Sequence, residues 1–293
     1  MSSVKSKNVS RENKNKITGG TLYLVATPIG NLSDMSERAI KTLREVDFIA
    51  AEDTRNTGRL LSFFGISKMM VSYFEHNKRE RGEIILERLI KGESCALVTD
   101  AGTPAISDPG EDLVRLCAEN NVPVTSVPGC SAVVNALALS ALPTGRFAFE
   151  GFLSTNKAER KKHLESAKND THTLIFYEAP HKLKTTLADM LSFFGDRKIS
   201  LCRELTKINE EIMRTTLSGA CEYYSANEPR GEYVLVIEGA DKEQRDESFF
   251  SDMTVAEHID YYVSSGMKKM DAIKAVAKDR DMPKNEIYKQ SLK

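Results

Sequence analysis

Three short stretches rich in glycine, proline and small residues are the places where this sequence could do chemistry: Thr27-Pro-Ile-Gly-Asn, Asp100-Ala-Gly-Thr-Pro-Ala-Ile-Ser-Asp-Pro-Gly and Pro128-Gly-Cys-Ser-Ala. Each follows an apolar or β-branched run that reads as a strand. Glycine has no side chain, so such loops let backbone approach a flat ligand closely, and the amides of a following helix can meet negative or polar groups. Any one of them alone also has the composition of a plain turn between strand and helix. Three on one sheet edge favour a ligand site. A dinucleotide fingerprint would need G-x-G-x-x-G after the first strand, and a phosphate loop would need a Gly-Lys-Ser/Thr ending; neither occurs, so nicotinamide chemistry and ordinary nucleotide hydrolysis lose support. Cys130 stands at a helix start, which favours a thiolate, but no histidine adjoins it and it reads as a small packed thiol.

These loops need a scaffold, and the hydrophobic pattern supplies one. Thr21 to Ala26 reads as a buried strand ending at Pro28. Asp34 and Glu37 form a capping-box signature, after which Ala39, Ile40, Leu43 and Val46 repeat with helical spacing. Strands are expected at 47–51, 70–73, 95–99 and 122–127, alternating with helices at 57–64, 80–91, 108–120 and 131–142. In the third of these helices Asp108 reads as the N-cap and Pro109 as the first helical residue. Such alternation predicts a mostly parallel sheet flanked by helices, with ligands beyond the carboxyl ends of its strands.

Leu142-Pro-Thr-Gly breaks the pattern, so the first α/β domain is expected over 20–142 and a second over 143–240. The second has strands at 147–152, 173–177, 199–203 and 233–238, and helices at 157–167 and 181–194. The remainder, 241–293, reads as a charged linker followed by three short helices. Residues 1–19 read as a basic, disordered leader without the apolar core of a signal peptide.

Bulk composition narrows the function. With 41 basic and 42 acidic residues the net charge is −1, so any nucleic-acid site must be a local patch. The cysteines Cys95, Cys117, Cys130, Cys202 and Cys221 are scattered without zinc-ligand spacing, which suits free thiols, a reducing cytoplasm and no metal. No run is long or apolar enough to span a bilayer.

The longer motifs point to a family. Gly20-Thr-Leu-Tyr-Leu-Val-Ala-Thr-Pro-Ile-Gly-Asn-Leu-Ser-Asp, Ala51-Glu-Asp-Thr-Arg-Asn-Thr, Thr99-Asp-Ala-Gly-Thr-Pro-Ala-Ile-Ser-Asp-Pro-Gly and Val127-Pro-Gly-Cys-Ser-Ala stand in order. Phe176-Tyr-Glu-Ala-Pro-His-Lys-Leu, Cys202-Arg-Glu-Leu-Thr-Lys and Arg230-Gly-Glu-Tyr-Val-Leu-Val-Ile-Glu-Gly continue the series. Over roughly Gly20 to Gly239 the chain resembles the tetrapyrrole methylase superfamily, in its branch of (cytidine-2'-O-)-methyltransferases acting on small-subunit (16S) ribosomal RNA. Its first loop departs from the glycine-rich turn usual in the tetrapyrrole-modifying members, which points to the RNA branch.

That resemblance implies a two-lobed α/β fold with S-adenosyl-L-methionine folded in the cleft between lobes, plus a small helical C-terminal module, in a cytoplasmic homodimer that needs no metal. It carries the donor site onto Pro28, Asp100, Ala101, Gly102, Ile106, Ser131, Ala132, Glu178 and Leu205. A ribose hydroxyl is a poor nucleophile, so a base is expected. Glu52 and Asp53, after the second strand, and Glu204, at the end of a second-lobe strand, are the candidates, with Arg55 holding a phosphate. Lys182, and Lys269 and Lys274 in the helical module, are candidate contacts to the RNA of the small ribosomal subunit. Two rivals remain at this point: a methyltransferase of this fold acting on a porphyrinoid or a diphthamide-pathway substrate, and a non-catalytic ribosome-assembly factor that binds RNA.

Overall fold

The computed structural model describes residues 16–241, 253–280 and 282–291. The expected leader lies outside the described residues up to residue 15, and so does the expected linker from residue 242. Strands β1 (Leu22–Val25), β2 (Phe48–Ala51), β3 (Met69–Ser72), β4 (Cys95–Val98) and β5 (Val124–Val127) form one sheet in the order β3-β2-β4-β1-β5. Every pairing in it is parallel.

Strand alternation sends successive side chains to opposite faces. Tyr23, Val25, Ile49, Ala51, Ala96 and Val98 pack on one face under α1 (Glu37–Glu45) and α2 (Thr54–Phe63). Leu22, Phe48, Ala50, Cys95 and Leu97 pack on the other, under α3 (Lys78–Ile90) and α4 (Glu111–Glu119). Central strands buried on both sides read as continuous apolar runs, as Phe48–Ala51 and Cys95–Val98 do.

Two helix starts differ from expectation. Ser36, not Asp34, caps α1 by accepting from the Ala39 amide at 3.1 Å; Asp34 belongs to a 3-10 turn over Leu32–Asp34. Likewise α4 begins at Glu111, so Asp108 and Pro109 stay in the loop after β4 instead of opening the helix.

Helix α5 (Ala132–Leu139) follows β5, yet its apolar face leaves the first sheet. Val133, Ala136 and Leu137 pack against Ile175, Cys202, Val234 and Val236 of a second sheet. That sheet holds β6 (Phe147–Phe152), β7 (Thr173–Glu178), β10 (Tyr233–Ile237), β8 (Lys198–Arg203) and β9 (Glu211–Thr216), in this spatial order. Only β6 and β7 pair in parallel; β10 runs antiparallel between β7 and β8, and β9 antiparallel to β8. Its other face is covered by α6 (Lys157–Ala167), α7 (Pro180–Phe194) and α8 (Leu217–Ala226) around Leu174, Phe176, Leu201 and Leu235. The edge strand β9 and the helix α8 are additions to the expected elements.

Three C-terminal helices, α9 (Val255–Ser264), α10 (Lys269–Asp279) and α11 (Lys284–Gln290), enclose a small core of Ile259, Ile273, Val276 and Ile287. A capping box opens the first: Thr254 Oγ1 accepts from the Glu257 amide at 3.3 Å and Glu257 accepts in return from the Thr254 amide at 2.8 Å. Since α5 fastens one α/β unit to the other, Leu137→Ala should cost about 2–5 kcal/mol. Urea unfolding followed by circular dichroism reads that loss; an unchanged midpoint would show that α5 contributes little to the seam.

Candidate active site

Strand order decides where the three loops meet. The chain steps outward from β1 to β2 and β3, returns to insert β4 beside β1, then crosses to β5. Ligands of open parallel sheets sit where the order reverses, at the carboxyl ends. Because β4, β1 and β5 are neighbours, the loops after them are neighbours too. The first two are joined by a pair of backbone hydrogen bonds, Thr27 N to Gly102 O at 2.9 Å and Gly102 N to Thr27 O at 3.1 Å. Thr103 Oγ1 donates to Cys130 O at 3.0 Å and ties the second loop to the third. At Gly129 a Cβ would lie 2.9 Å from that of Ala26, so only glycine permits the third loop to pass so close to β1.

Opposite these loops stands one edge of the second sheet. The antiparallel β10 brings its first residue, Tyr233, beside Glu178 at the end of β7 and Arg203 at the end of β8. Between the two edges is a cavity of about 330 Å³. Asp100, Ala101, Gly102, Ile106, Ser131, Ala132, Glu178 and Leu205 all line it, as do Glu52 and Glu204. Asp53, Arg55 and Lys182 do not, and Pro28 lines an adjoining groove instead.

Those outside have specific partners. Asp53 caps α2, accepting from the Arg55 amide at 2.8 Å, and also pairs with the Arg55 side chain at 2.7 Å; hydrogen bonds from Arg55 hold its carboxyl down at about 2. Lys182 reaches Glu178 at 3.0 Å and the Leu153 carbonyl at 3.1 Å, so this lysine neutralises a buried wall carboxylate. Lys269 and Lys274 are exposed on α10, with Lys274 2.9 Å from Asp271.

Charge in the cavity is lopsided. Its lining includes Glu52, Asp100, Asp108, Glu178, Glu204 and Glu232, against Lys207 as the single cation among the described residues. Lys207 bridges Glu204 and Glu232, at 2.9 Å to each. Burial works to raise the Glu204 pKa, but hydrogen bonds from the Glu232 amide and Lys207 outweigh it and leave it lowered. Glu178 accepts from the Ala179 amide at 2.8 Å besides its lysine. The remaining three acids form no salt bridge among the described residues. Asp100 accepts from Asn56 Nδ2 at 3.0 Å, and Glu52 accepts from the Asp100 amide at 3.4 Å.

Asp108 is the residue that sequence reasoning assigned to a helix cap. Burial, reinforced by the charges of Glu52 and Asp100, pushes its carboxyl up to about 7. Burial also raises Glu52. Opposite, burial and then the Asp108 charge push Tyr177 up to about 12, keeping it a neutral phenol. The loop that delivers Asp108 takes left-handed backbone at Ala105 (φ 68°) and Ser107 (φ 65°), and Glu204 (φ 50°) and Thr206 (φ 67°) do the same across the cleft. Such conformations cost energy and persist where surrounding structure holds them. Cys130 is a thiol raised by burial, its Sγ 3.7 Å from the Asp34 carbonyl.

The raised carboxyl makes stability pH-dependent. A folded pKa of about 7 against an ordinary 3.8 means the folded chain holds that proton more firmly than the unfolded one. The group therefore stabilises fully at low pH and loses its contribution as pH rises through that window. Asp108→Asn should melt at a higher temperature than the parent near pH 8, with the gap closing near pH 4. Equal gaps at both would show that Asp108 titrates normally.

Comparison with known proteins agrees with this architecture. Residues 21–221 match the family described as Tetrapyrrole (Corrin/Porphyrin) Methylases. The chain is 48% identical to the Ribosomal RNA small subunit methyltransferase I of Halalkalibacterium halodurans, over 92% of its own length and 93% of that protein. It is 46% identical to the protein of the same name from Synechocystis sp., covering 93% and 98%. Among solved structures, a diphthine synthase superposes with a TM-score of 0.56 at 14% identity, over 74% of this chain and 90% of that one. The cobalamin-biosynthetic cobalt precorrin-4 methyltransferase superposes with a TM-score of 0.55 at 16% identity, over 75% and 95%. At such identities the superpositions speak for the fold alone. With two α/β units facing across a cleft, a matching profile over most of its length and close relatives end to end, this chain belongs to the tetrapyrrole methylase family.

Proposed function

We propose that this chain transfers a methyl group from S-adenosyl-L-methionine to the ribose 2'-hydroxyl of a cytidine in 16S ribosomal RNA. The observation that carries the reading is the cavity itself. Three stapled loops offer backbone to a folded ligand, and Glu52, Asp100 and Asp108 bring carboxyl groups that no lysine or arginine among the described residues holds in a salt bridge. That surface suits a donor with a cationic sulfonium and repels a bare phosphate. Relatives almost as long as this chain, named for ribosomal RNA small subunit methylation, support the substrate class.

When bound, the donor supplies the methyl group on a sulfonium that leaves as a neutral thioether. The chain's residues have two tasks, alignment and proton removal. For in-line displacement the hydroxyl must be held against the methyl carbon, and the loop backbone at Asp100 to Gly102 with Ser131 and Ala132 fits the alignment role. The oxygen–carbon bond forms as the carbon–sulfur bond breaks, the sulfur keeps its electron pair, and the hydroxyl proton passes to a carboxylate. A base works best with a pKa near the working pH. Asp108, with Glu52 beside it, meets that condition. Asp53, spent on a helix cap and on Arg55, and Glu204, held by Lys207, are the weaker candidates.

The exposed lysines of α10, Lys269 and Lys274, are assigned to RNA backbone, and the working form to a cytoplasmic homodimer, both on the strength of the family likeness. No helix among the described residues is long and apolar enough to cross a membrane.

The deciding experiment supplies labelled donor to small ribosomal subunits from cells lacking the gene and maps the label. Label on one cytidine ribose is the expected result; donor binding without label would redirect the substrate, and no donor binding would favour a non-catalytic factor. With active enzyme, Asp108→Asn should lower kcat by at least a hundredfold and abolish the rise of rate with pH near 7. A full rate with an intact pH profile would move the base elsewhere. Replacing Lys269 and Lys274 by Gln should lower the salt dependence of subunit binding by about one unit for each lysine on a phosphate. An unchanged slope would take the module off the RNA.

A further inference from the structure

Beside the donor cavity is a second concavity, of about 370 Å³, which shares Asp100 with it. Its walls come from the turn after β1 and from α2. Phe63, 64% exposed, and Leu32, 41% exposed, are among the more solvent-open large apolar side chains of the chain, and both line this groove with Pro28. Exposed aromatic surface in a concavity is unusual for an ordinary face and marks a place for a partner. Asn56 stands between groove and cavity with its amide on Asp100 at 3.0 Å. Arg59, one turn beyond Arg55 on α2, is exposed on the groove and has no carboxylate partner among the described residues. Arg55, by contrast, is already paired with Asp53.

We infer that this groove receives the base of the nucleotide to be methylated, turned out of its stack and laid against Phe63 and Leu32, with Arg59 on an adjoining phosphate and the ribose at the Asp100 junction. The inference rests on the RNA methyltransferase reading and adds the acceptor subsite to it. The match is chemical at each point. A nucleobase has an apolar face and a polar edge: Phe63 and Leu32 serve the face, and the Asn56 amide with the Asp100 carboxylate serves an edge that carries both a donor and an acceptor. Charge complementarity fixes the polarity of the arrangement. The donor cavity is acidic and repels phosphate, whereas Arg59, without a carboxylate partner among the described residues, lines the groove and not the cavity, so the backbone tracks α2 and only the ribose approaches the carboxylates. A protein side chain could fill the apolar part but would leave the proximity to the donor cavity without purpose.

Three measurements on small subunits test this. Phe63→Ala should raise KM for subunits roughly tenfold or more with donor affinity by calorimetry unchanged, since base–aromatic stacking is worth that much. Phe63→Tyr, which keeps the ring, should restore it. Arg59→Gln should weaken subunit binding and reduce its salt slope by about one unit. With a photoreactive phenylalanine analogue in place of Phe63, irradiation should give an adduct on the methylated nucleotide or its immediate neighbour. An unchanged KM in Phe63→Ala, or an adduct on a ribosomal protein, overturns the inference while leaving the RNA methyltransferase reading intact. If the parent protein methylates no RNA at all, it is that reading which fails.

Discussion

The site depends on the staple between the first two loops. Thr27 and Gly102 exchange both backbone hydrogen bonds, and the buried Thr27 hydroxyl adds a third to the Thr99 carbonyl at 3.0 Å. Loops are ordinarily the mobile part of a fold because their polar backbone needs water. Here the backbone groups find each other, so two loops behave as a short extension of the sheet. Thr103 then carries the restraint to the third loop. None of this could assemble unless β4, β1 and β5 were neighbours, which makes the strand order the condition for the chemistry.

On that rigid floor the electrostatics are graded. Acids of the second lobe are neutralised locally, Glu178 by Lys182 and Glu204 with Glu232 by Lys207. Acids of the first lobe are left to interact with one another, and burial, with mutual repulsion added, lifts Asp108 and Glu52. The same carboxyl types thus hold the wall together on one side and keep their protons to higher pH on the other, a separation produced by environment alone.

Much of this was legible in the sequence, for identifiable reasons. The three loops announced themselves by composition and parallel α/β topology puts such loops on one edge; of the nine residues that the family resemblance carried to the donor site, eight line one cavity. Asp108 was misread because Asp-Pro-Gly-Glu imitates a helix start, and only the left-handed backbone of the preceding residues shows the chain turning inward. The strand β9 and helix α8 were passed over: Glu211–Thr216 is a half-exposed edge strand, and α8 carries Gly219 and two serines, weak helix formers. Arg55 was assigned to a phosphate because sequence shows a charge but not that Asp53 already pairs with it. Lys182 likewise is engaged with Glu178, which its place in the sequence does not show.

Helix α5 has a consequence for how the molecule comes into being. Its residues are made with the first sheet, yet the surface that buries Val133, Ala136 and Leu137 belongs to β7, β8 and β10, made later. During synthesis the first α/β unit therefore carries an uncovered apolar helix until the second sheet closes over it, and contacts so distant in sequence form slowly. A chain stopped or cleaved in the connection after Leu142 would retain that helix as an adhesive surface. The two lobes are consecutive in sequence but share the α5 seam, and the wall of the cavity is complete only once translation has passed β10.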